Sequence, residues 1–376
     1  MTSLKVAVVG VGHLGQHHAR ILSGIPGVEL VGVADTRPEQ ARIVAEKFGT
    51  QAVDDYRDLL DKVDAVSIAV PTVLHREVAG AFLERGIATM VEKPLAASFA
   101  EAEALVDLSH RGSALLQVGH IERFNPALST LAGINLAPRY IAAERLSTYT
   151  FRSTDIGVVL DLMIHDIDLL LAMISAPVRS VSAVGVSVFG GHEDIANARI
   201  EFEDGCVANL SASRASLQAV RKMRLYGAEG YVSLDFATKQ GTLIRPSEKL
   251  RRGEIELEGV DMSQPAAVKE RLFGTILEVD KVQAEGREPL ALELEDFVQA
   301  IRGEKPPEVG GDEALRAMRL ADQILRSLRS HSWRSTAEVA SGAPGVEPAH
   351  PLRGPITWRM PAARAAQVAP RAQEPR

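Results

Sequence analysis

Three groups of residues in this chain have the types and spacing of chemistry. The first is Val6-Ala7-Val8-Val9-Gly10-Val11-Gly12-His13-Leu14-Gly15, an apolar run that enters G-x-G-x-x-G. In such a turn the first glycine permits a tight bend and the second lets backbone approach a pyrophosphate. The third lets helix and strand pack closely, and the helix aims its N-terminal N–H groups at the phosphates. Asp35 lies 20 residues past Gly15, at the end of the next apolar run. A carboxylate there accepts hydrogen bonds from a ribose 2′-OH and repels a 2′-phosphate, which favours NAD over NADP. Neighbouring Arg37 could instead pair with a phosphate.

The second group sits where two further apolar runs end: Val70-Pro71-Thr72 with His75 beyond it, and Glu92-Lys93-Pro94. Ligands of open α/β sheets bind at the carboxyl ends of strands, so both would face the same crevice as the glycine turn. Proline commonly ends strands, but a lysine directly after the run Ala88–Val91 stands where a substrate would be. The third group is Asp161-Leu162-Met163-Ile164-His165-Asp166-Ile167-Asp168 in an otherwise apolar stretch. In a regular helix Asp161, His165 and Asp168 share one face. A polar stripe at a domain boundary and a metal site are open readings, though no further His/Cys cluster supports a metal. Beside a nicotinamide site, acid–base work is favoured, with a carboxylate one turn away fixing the tautomer of the histidine. No metal is assigned.

These groups need elements to hold them. Leu4–Val9, Glu29–Ala34, Ala65–Ala69, Thr89–Val91 and Leu115–Gly119 read as parallel strands buried on both faces. His13–Ser23, Pro38–Phe48, Leu74–Arg85 and Ser98–His110 alternate with them as helices, the last with the capping pair Ser98 and Glu101. That order predicts an α/β Rossmann domain, a doubly wound parallel sheet, over residues 1–124. After it come a helix over Val158–Ile174 and strands over Val178–Val188, Asn197–Glu203, Cys206–Ala212, Met223–Gly227, Tyr231–Phe236 and Gly241–Ile244. Asp204-Gly205 suits a hairpin turn between two of these. Helical patterns follow at Ala266–Glu285, Leu292–Arg302 and Asp312–Leu328. Residues 125–339 thus predict an α+β domain with a large, mostly antiparallel open sheet, and the Pro/Ala-rich tail 340–376 reads as disordered.

Composition narrows the setting. The 376 residues carry a formal charge of −7, which argues against a nucleic-acid partner. No apolar run reaches the ~18 residues of a membrane span. The single cysteine, Cys206, fits a reducing, cytoplasmic compartment.

Taken together, G-V-G-H-L-G, Glu92-Lys93-Pro94 and Asp161-x-x-x-His165 resemble the Gfo/Idh/MocA family of NAD(P)-dependent oxidoreductases, from about residue 4 to about residue 330. The resemblance implies Lys93 and His165 beside the substrate, with Asp161 in support, and a Lys93–Pro94 junction near the nicotinamide, cis in several members. It implies dinucleotide contacts from Gly10, Gly12, His13, Leu14, Gly15, Asp35, Arg37, Pro71, Thr72, His75, Glu92 and Lys93. Many members pair through the second sheet, so a homodimer or homotetramer is expected. Gly119-His120-Ile121-Glu122-Arg123-Phe124-Asn125-Pro126 resembles the bacterial UDP-N-acetylglucosamine 3-dehydrogenase branch, which oxidises the sugar C3 hydroxyl ahead of amination. A dehydrogenase of inositol or another sugar, or an NAD-binding regulator without activity, is the alternative. Met163 departs from the glycine many members carry between the Asp and the His. If the substrate is UDP-linked, Arg123, Arg152, Arg214, Arg221 and Lys222 are the candidates for its diphosphate.

Overall fold

The computed structural model describes residues 3–134, 136–150, 155–189, 191–255, 269, 272–284 and 286–331. Two sheets dominate it. The continuous apolar runs of the N-terminal part form β1 (Leu4–Val9), β2 (Val28–Ala34), β4 (Ala65–Ile68), β5 (Ala88–Glu92) and β6 (Leu116–Gly119). A short edge strand not expected from sequence, β3 (Gln51–Val53), completes a 6-stranded sheet of order β3-β2-β1-β4-β5-β6. Its pairings are all parallel, and the strand order reverses between β1 and β4. Helices α1 (Gly15–Leu22), α2 (Pro38–Phe48), α3 (His75–Leu83) and α4 (Phe99–Gly112) make the crossovers. The hydroxyl of Ser98 accepts from the Glu101 amide at 3.3 Å and so caps α4.

The second sheet has 8 strands in the order β14-β13-β12-β11-β7-β10-β9-β8. These are β7 (Pro138–Leu146), β8 (Val178–Val186), β9 (Ile195–Phe202), β10 (Val207–Ser213), β11 (Val220–Gly227), β12 (Gly230–Asp235), β13 (Gln240–Pro246) and β14 (Leu277–Gln283). Only β7 and β10 pair in parallel. Two strands depart from expectation. β7, absent from the sequence reading, lies near the centre of the sheet. β14 occupies the end of the stretch Ala266–Glu285 that the sequence predicts as helix, of which residues 266–268, 270–271 and 285 lie outside the described residues. Leu277, Val279 and Lys281 alternate with Glu278 and Asp280 along this edge strand, and Arg245 on β13 bonds Glu278 at 3.0 Å and Asp280 at 3.1 Å. Charges on an edge strand discourage further pairing, and they hide its period in the sequence. The expected tail 340–376 lies outside the described residues.

After the single turn α6 (Glu248–Arg251), two helices tie the halves together. In α7 (Pro289–Ile301), Leu290, Leu294, Phe297 and Val298 bury against Val6 and Val8 of β1 and Ala19 and Leu22 of α1. The chain therefore returns beneath its first sheet. In α8 (Gly311–Ser330), Ala314, Ala317, Ala321 and Ile324 join a core that runs from Val66 and Phe82 of the first domain to Leu170 and Phe202 of the second. No helix among the described residues is long and apolar enough to cross a membrane.

One buried group works against this packing. Glu293 of α7 is fully buried, and neither carboxyl oxygen has a hydrogen-bond partner. Burial raises its pKa well above 4.5, and the charges of Glu92, Asp296 and Asp168 push the same way. A raised acid pKa gives stability that is complete below the unfolded value and lost as pH climbs towards the folded one. Glu293→Gln is therefore expected to flatten the alkaline side of the stability profile and raise Tm at pH 8. A gain of ~1 kcal/mol would appear as about 2–4 °C in a melting curve. A lower Tm for the variant at pH 8 would contradict this account.

Candidate active site

The glycine turn sits where β1 meets the reversal of strand order. Gly10 has φ +82, and a Cβ there would lie 2.7 Å from the Ala69 carbonyl oxygen. A Cβ on Gly15 would strike the Gly10 carbonyl at 1.8 Å. Both positions therefore need glycine for close packing. At Gly12 the space is open apart from the Arg37 guanidinium at 3.5 Å, the room a pyrophosphate needs against backbone. Asp35 Oδ2 accepts from the Val11 amide at 3.0 Å, and Oδ1 from the Arg37 amide at 2.9 Å and Arg37 Nε at 3.2 Å. The acid thus braces the turn while bordering a cleft of about 760 Å³ that Gly10, Gly12, His13, Leu14, Arg37 and Pro71 also line.

The ends of β4 and β5 adjoin this cleft. Thr72 is mostly buried in the short turn Thr72–Leu74 that follows Pro71. His75 does not face the cleft. Only 1% exposed, it lies between the two strand ends, with Nδ1 2.9 Å from the Pro94 carbonyl and Nε2 3.0 Å from the Val70 carbonyl, and the single N–H of its neutral ring donates to one of them. Burial lowers its pKa despite both carbonyls. Glu92 faces back under the sheet, with Oε1 3.1 Å from His18 Nε2, while His18 Nδ1 lies 2.7 Å from the Ser67 hydroxyl. Burial alone would raise the Glu92 pKa. The His18 bond and the charges of His18, Lys93 and His75 outweigh it and leave the carboxyl below 4.5. His18 and Ser67 carry no motif, and sequence reading passes over them. The Lys93–Pro94 peptide is cis.

Lys93 reaches across to the second domain. Its Nζ donates to the Asp161 carbonyl at 2.7 Å and to Asp161 Oδ1 at 3.1 Å. Asp161 lies in a π-helical turn, Val159–Met163, that leads into α5 (Ile164–Met173). The wider turn changes the facing predicted for a regular helix. Asp161 turns to Lys93, Asp168 takes Arg123 in a bidentate pair at 2.7 and 3.1 Å, and Asp166 takes Arg145 at 2.8 and 3.0 Å. The expected bond from Asp161 to His165 is absent. His165 makes no hydrogen bond among the described residues, and its Nδ1 is buried without a partner. Burial drives its pKa well below 6.5, and the charges of Lys93, Arg145, His120 and Arg221 add to that. It is a neutral imidazole at neutral pH.

The start of the π turn is held from the second sheet. The Val158 amide donates to the Glu193 carbonyl at 3.0 Å and the Val159 amide to Glu193 Oε1 at 3.1 Å. This close approach requires Gly157, where a Cβ would meet the Glu193 carboxylate at about 2.0 Å. Glu193, like His18, has no sequence signal. Of the five candidate cations, Arg123 is held by Asp168, and Arg214 by Asp194 at 2.6 Å and the Ile156 carbonyl at 2.9 Å. Lys222 lies 3.5 Å from Asp235. Arg152 falls outside the described residues. Of the four that are described, Arg221 alone is exposed with no partner among the described residues.

A parallel sheet with a glycine turn at its reversal point, a lysine at the end of β5 and a helix of the second domain supplying a histidine define a nicotinamide-dependent dehydrogenase. The chain belongs to the Gfo/Idh/MocA oxidoreductase family. Residues 4–120 match the family's NAD-binding Rossmann fold, and residues 143–336 its C-terminal alpha/beta domain. The chain is 36% identical over 326 residues to UDP-N-acetylglucosamine 3-dehydrogenase of Acidithiobacillus ferrooxidans, covering 86% of this chain and 97% of that one. A solved structure of that enzyme superposes with a TM-score of 0.76 at 34% identity, over 87% of this chain and 98% of the other. The scyllo-inositol 2-dehydrogenase (NAD(+)) of Bacillus subtilis is 28% identical over 347 residues, 87% of this chain and 94% of that one.

Proposed function

We propose that this chain oxidises the C3 hydroxyl of UDP-N-acetylglucosamine to the 3-keto sugar with NAD, supplying a ketone ready for amination. The observation that supports this most strongly is the 36% identity with a UDP-N-acetylglucosamine 3-dehydrogenase over nearly the whole of both chains. Inositol is the competing substrate, because an NAD-dependent inositol dehydrogenase matches over a similar span at 28%.

The glycine turn fits a dinucleotide: Gly10 and Gly15 close the bend, and Gly12 leaves the backbone open to a phosphate. In this reading Gly10, Gly12, His13, Leu14 and Gly15 hold the pyrophosphate, and Asp35 with Arg37 meets the adenosine ribose. Pro71, Thr72 and Lys93 border the nicotinamide half, while Glu92 and His75 act behind them. Bound NAD supplies the acceptor for the hydride that leaves the sugar carbon. The ammonium of Lys93 donates to the reacting hydroxyl and stabilises its developing negative charge, and neutral His165 accepts the proton. Asp161 holds Lys93, rather than His165, in place.

Self-association through the outer face of the second sheet accompanies this reading, as a homodimer or homotetramer. Tyr226 stands 40% exposed there, with Tyr140 and Tyr231 rings 5.5 and 4.8 Å from its own. Aromatic clusters on an open sheet suit an interface. A mass by light scattering of two or four chains is expected, and a monomer would remove this element. A reducing, cytoplasmic setting suits the single buried thiol, Cys206.

The substrate is tested by incubating enzyme and NAD with UDP-N-acetylglucosamine or with inositol and following NADH. Loss of two hydrogens from the nucleotide sugar by mass spectrometry is the expected result, and turnover of inositol alone would overturn it. Lys93→Ala and His165→Ala should each lower kcat by about 10²–10⁴-fold with NAD affinity nearly unchanged, the usual contribution of a positioned acid or base. Full activity in either variant would remove that residue from the chemistry.

The pH dependence follows from His165. A base with a lowered pKa stays deprotonated through neutral pH and is lost only as pH falls through the lowered value. The acid limb of kcat/KM should therefore lie below pH 6.5, the ordinary histidine value, and should vanish from the residual activity of His165→Ala.

A further inference from the structure

Arg221 is the second residue of β11 and pairs in register with Arg145 of β7. Both side chains lie on the inner face of the second sheet, since Arg221 falls two and four residues before Met223 and Leu225, which share its face and are buried beside Ala143 and Ile141. The two arginines have opposite surroundings. Arg145 is 3% exposed and bonded to Glu122 at 2.7 Å and to both oxygens of Asp166. Arg221 is exposed and forms no ion pair, hydrogen bond or ring contact among the described residues. Among the described residues the π turn with Asp161 packs chiefly across β10 and β7, and Arg221, on the neighbouring β11, is exposed. Arg221 is near enough to add its charge to that felt by His165.

Two like charges directly opposite each other across a strand pair are unfavourable unless something compensates them. The carboxylates of Glu122 and Asp166 neutralise Arg145, and Arg221 keeps a guanidinium fork with no acceptor. A fork of five N–H donors next to the reacting residues suits the paired oxygens of an anionic ligand, and on a nucleotide-linked sugar those are the oxygens of the diphosphate. We propose that Arg221 is a specificity-determining residue that binds the diphosphate of a nucleotide-linked sugar. This rests on the substrate reading above. It makes the enzyme discriminate a nucleoside diphosphate sugar from a free sugar or inositol by charge at a point away from the reacting carbon.

The test uses the full chain and three ligands: UDP-N-acetylglucosamine, UDP alone and NAD. Arg221→Gln should raise KM for the nucleotide sugar and the inhibition constant of UDP together, by about 10–100-fold, the usual size of a lost charge-assisted hydrogen bond. Arg221→Lys, which keeps a charge but loses the fork, should fall between. The KM for NAD should change by less than about twofold, and kcat at saturation only slightly, because the contact is made equally in ground and transition states. Higher salt should weaken UDP inhibition of the wild type more than that of Arg221→Gln.

A wild type that turns over UDP-N-acetylglucosamine while Arg221→Gln, folded to the same Tm, keeps its KM and UDP inhibition would overturn this role and leave the substrate reading intact. A wild type that neither oxidises the nucleotide sugar nor is inhibited by UDP would overturn both. If Arg221→Gln unfolds, Arg221→Lys carries the same test, because it preserves the charge opposite Arg145.

Discussion

The contact from Lys93 to Asp161 is the interaction on which the site depends. Lys93 ends a strand of the first sheet, and Asp161 begins a helix carried by the second. Everything that places those two residues serves this one bridge. On one side, His75 is buried between the Val70 and Pro94 carbonyls, and His18, itself bonded to Ser67, fixes Glu92 behind the lysine. On the other, Glu193 receives the first amides of the π turn, and Arg214 joins Asp194 to the Ile156 carbonyl just before it. A partly buried ion pair in low dielectric is favourable only when its geometry is fixed in advance. Here both partners are fixed by separate networks, and α8 packs against both halves so that the networks keep their distance.

The same arrangement explains the unusual state of His165. The helix holds three aspartates around it, yet each is taken by a different cation: Asp161 by Lys93, Asp166 by Arg145 and Asp168 by Arg123. The histidine is left with positive neighbours and no carboxylate of its own. Desolvation and those charges then favour the uncharged imidazole. A carboxylate bonded to the ring would have raised its pKa and given a stronger base, one more often protonated at neutral pH. The pairing with arginines trades basicity for availability of the neutral form.

Sequence and structure agree where one residue type has one physical job. Largely apolar runs such as Leu4–Val9 are strands whose later residues are buried on both faces, and Gly10 and Gly15 of the turn are places where a Cβ has no room. Agreement ends where tertiary partners decide. β7 crosses the middle of its sheet with Arg139, Glu144 and Arg145 in nine residues, a pattern that looks like surface. Arg145 is buried all the same, because Glu122 and Asp166, 23 and 21 residues away in the chain, enclose it. The helical spacing of Asp161 and His165 was readable, but the π turn that separates their partners was not, since no residue type marks such a turn. His18 and Glu193 were invisible for the same reason: their roles are set by what they touch.

Charge gives the last step. The chain is −7 overall, and the five arginines and two glutamates from Ala340 onward leave the preceding residues at −10. A body of that charge repels an anionic ligand at long range. Screening confines this repulsion to about 8 Å at physiological salt, so local charge decides what happens within a cleft. Near the reacting residues Asp161 is paired with Lys93, Asp168 with Arg123, and Glu122 and Asp166 with Arg145, while Arg221 is exposed with no acid of its own among the described residues. The protein is acidic as a whole, yet each carboxylate beside His165 is spent on a cation, so the unpaired charge left there among the described residues is that of Arg221.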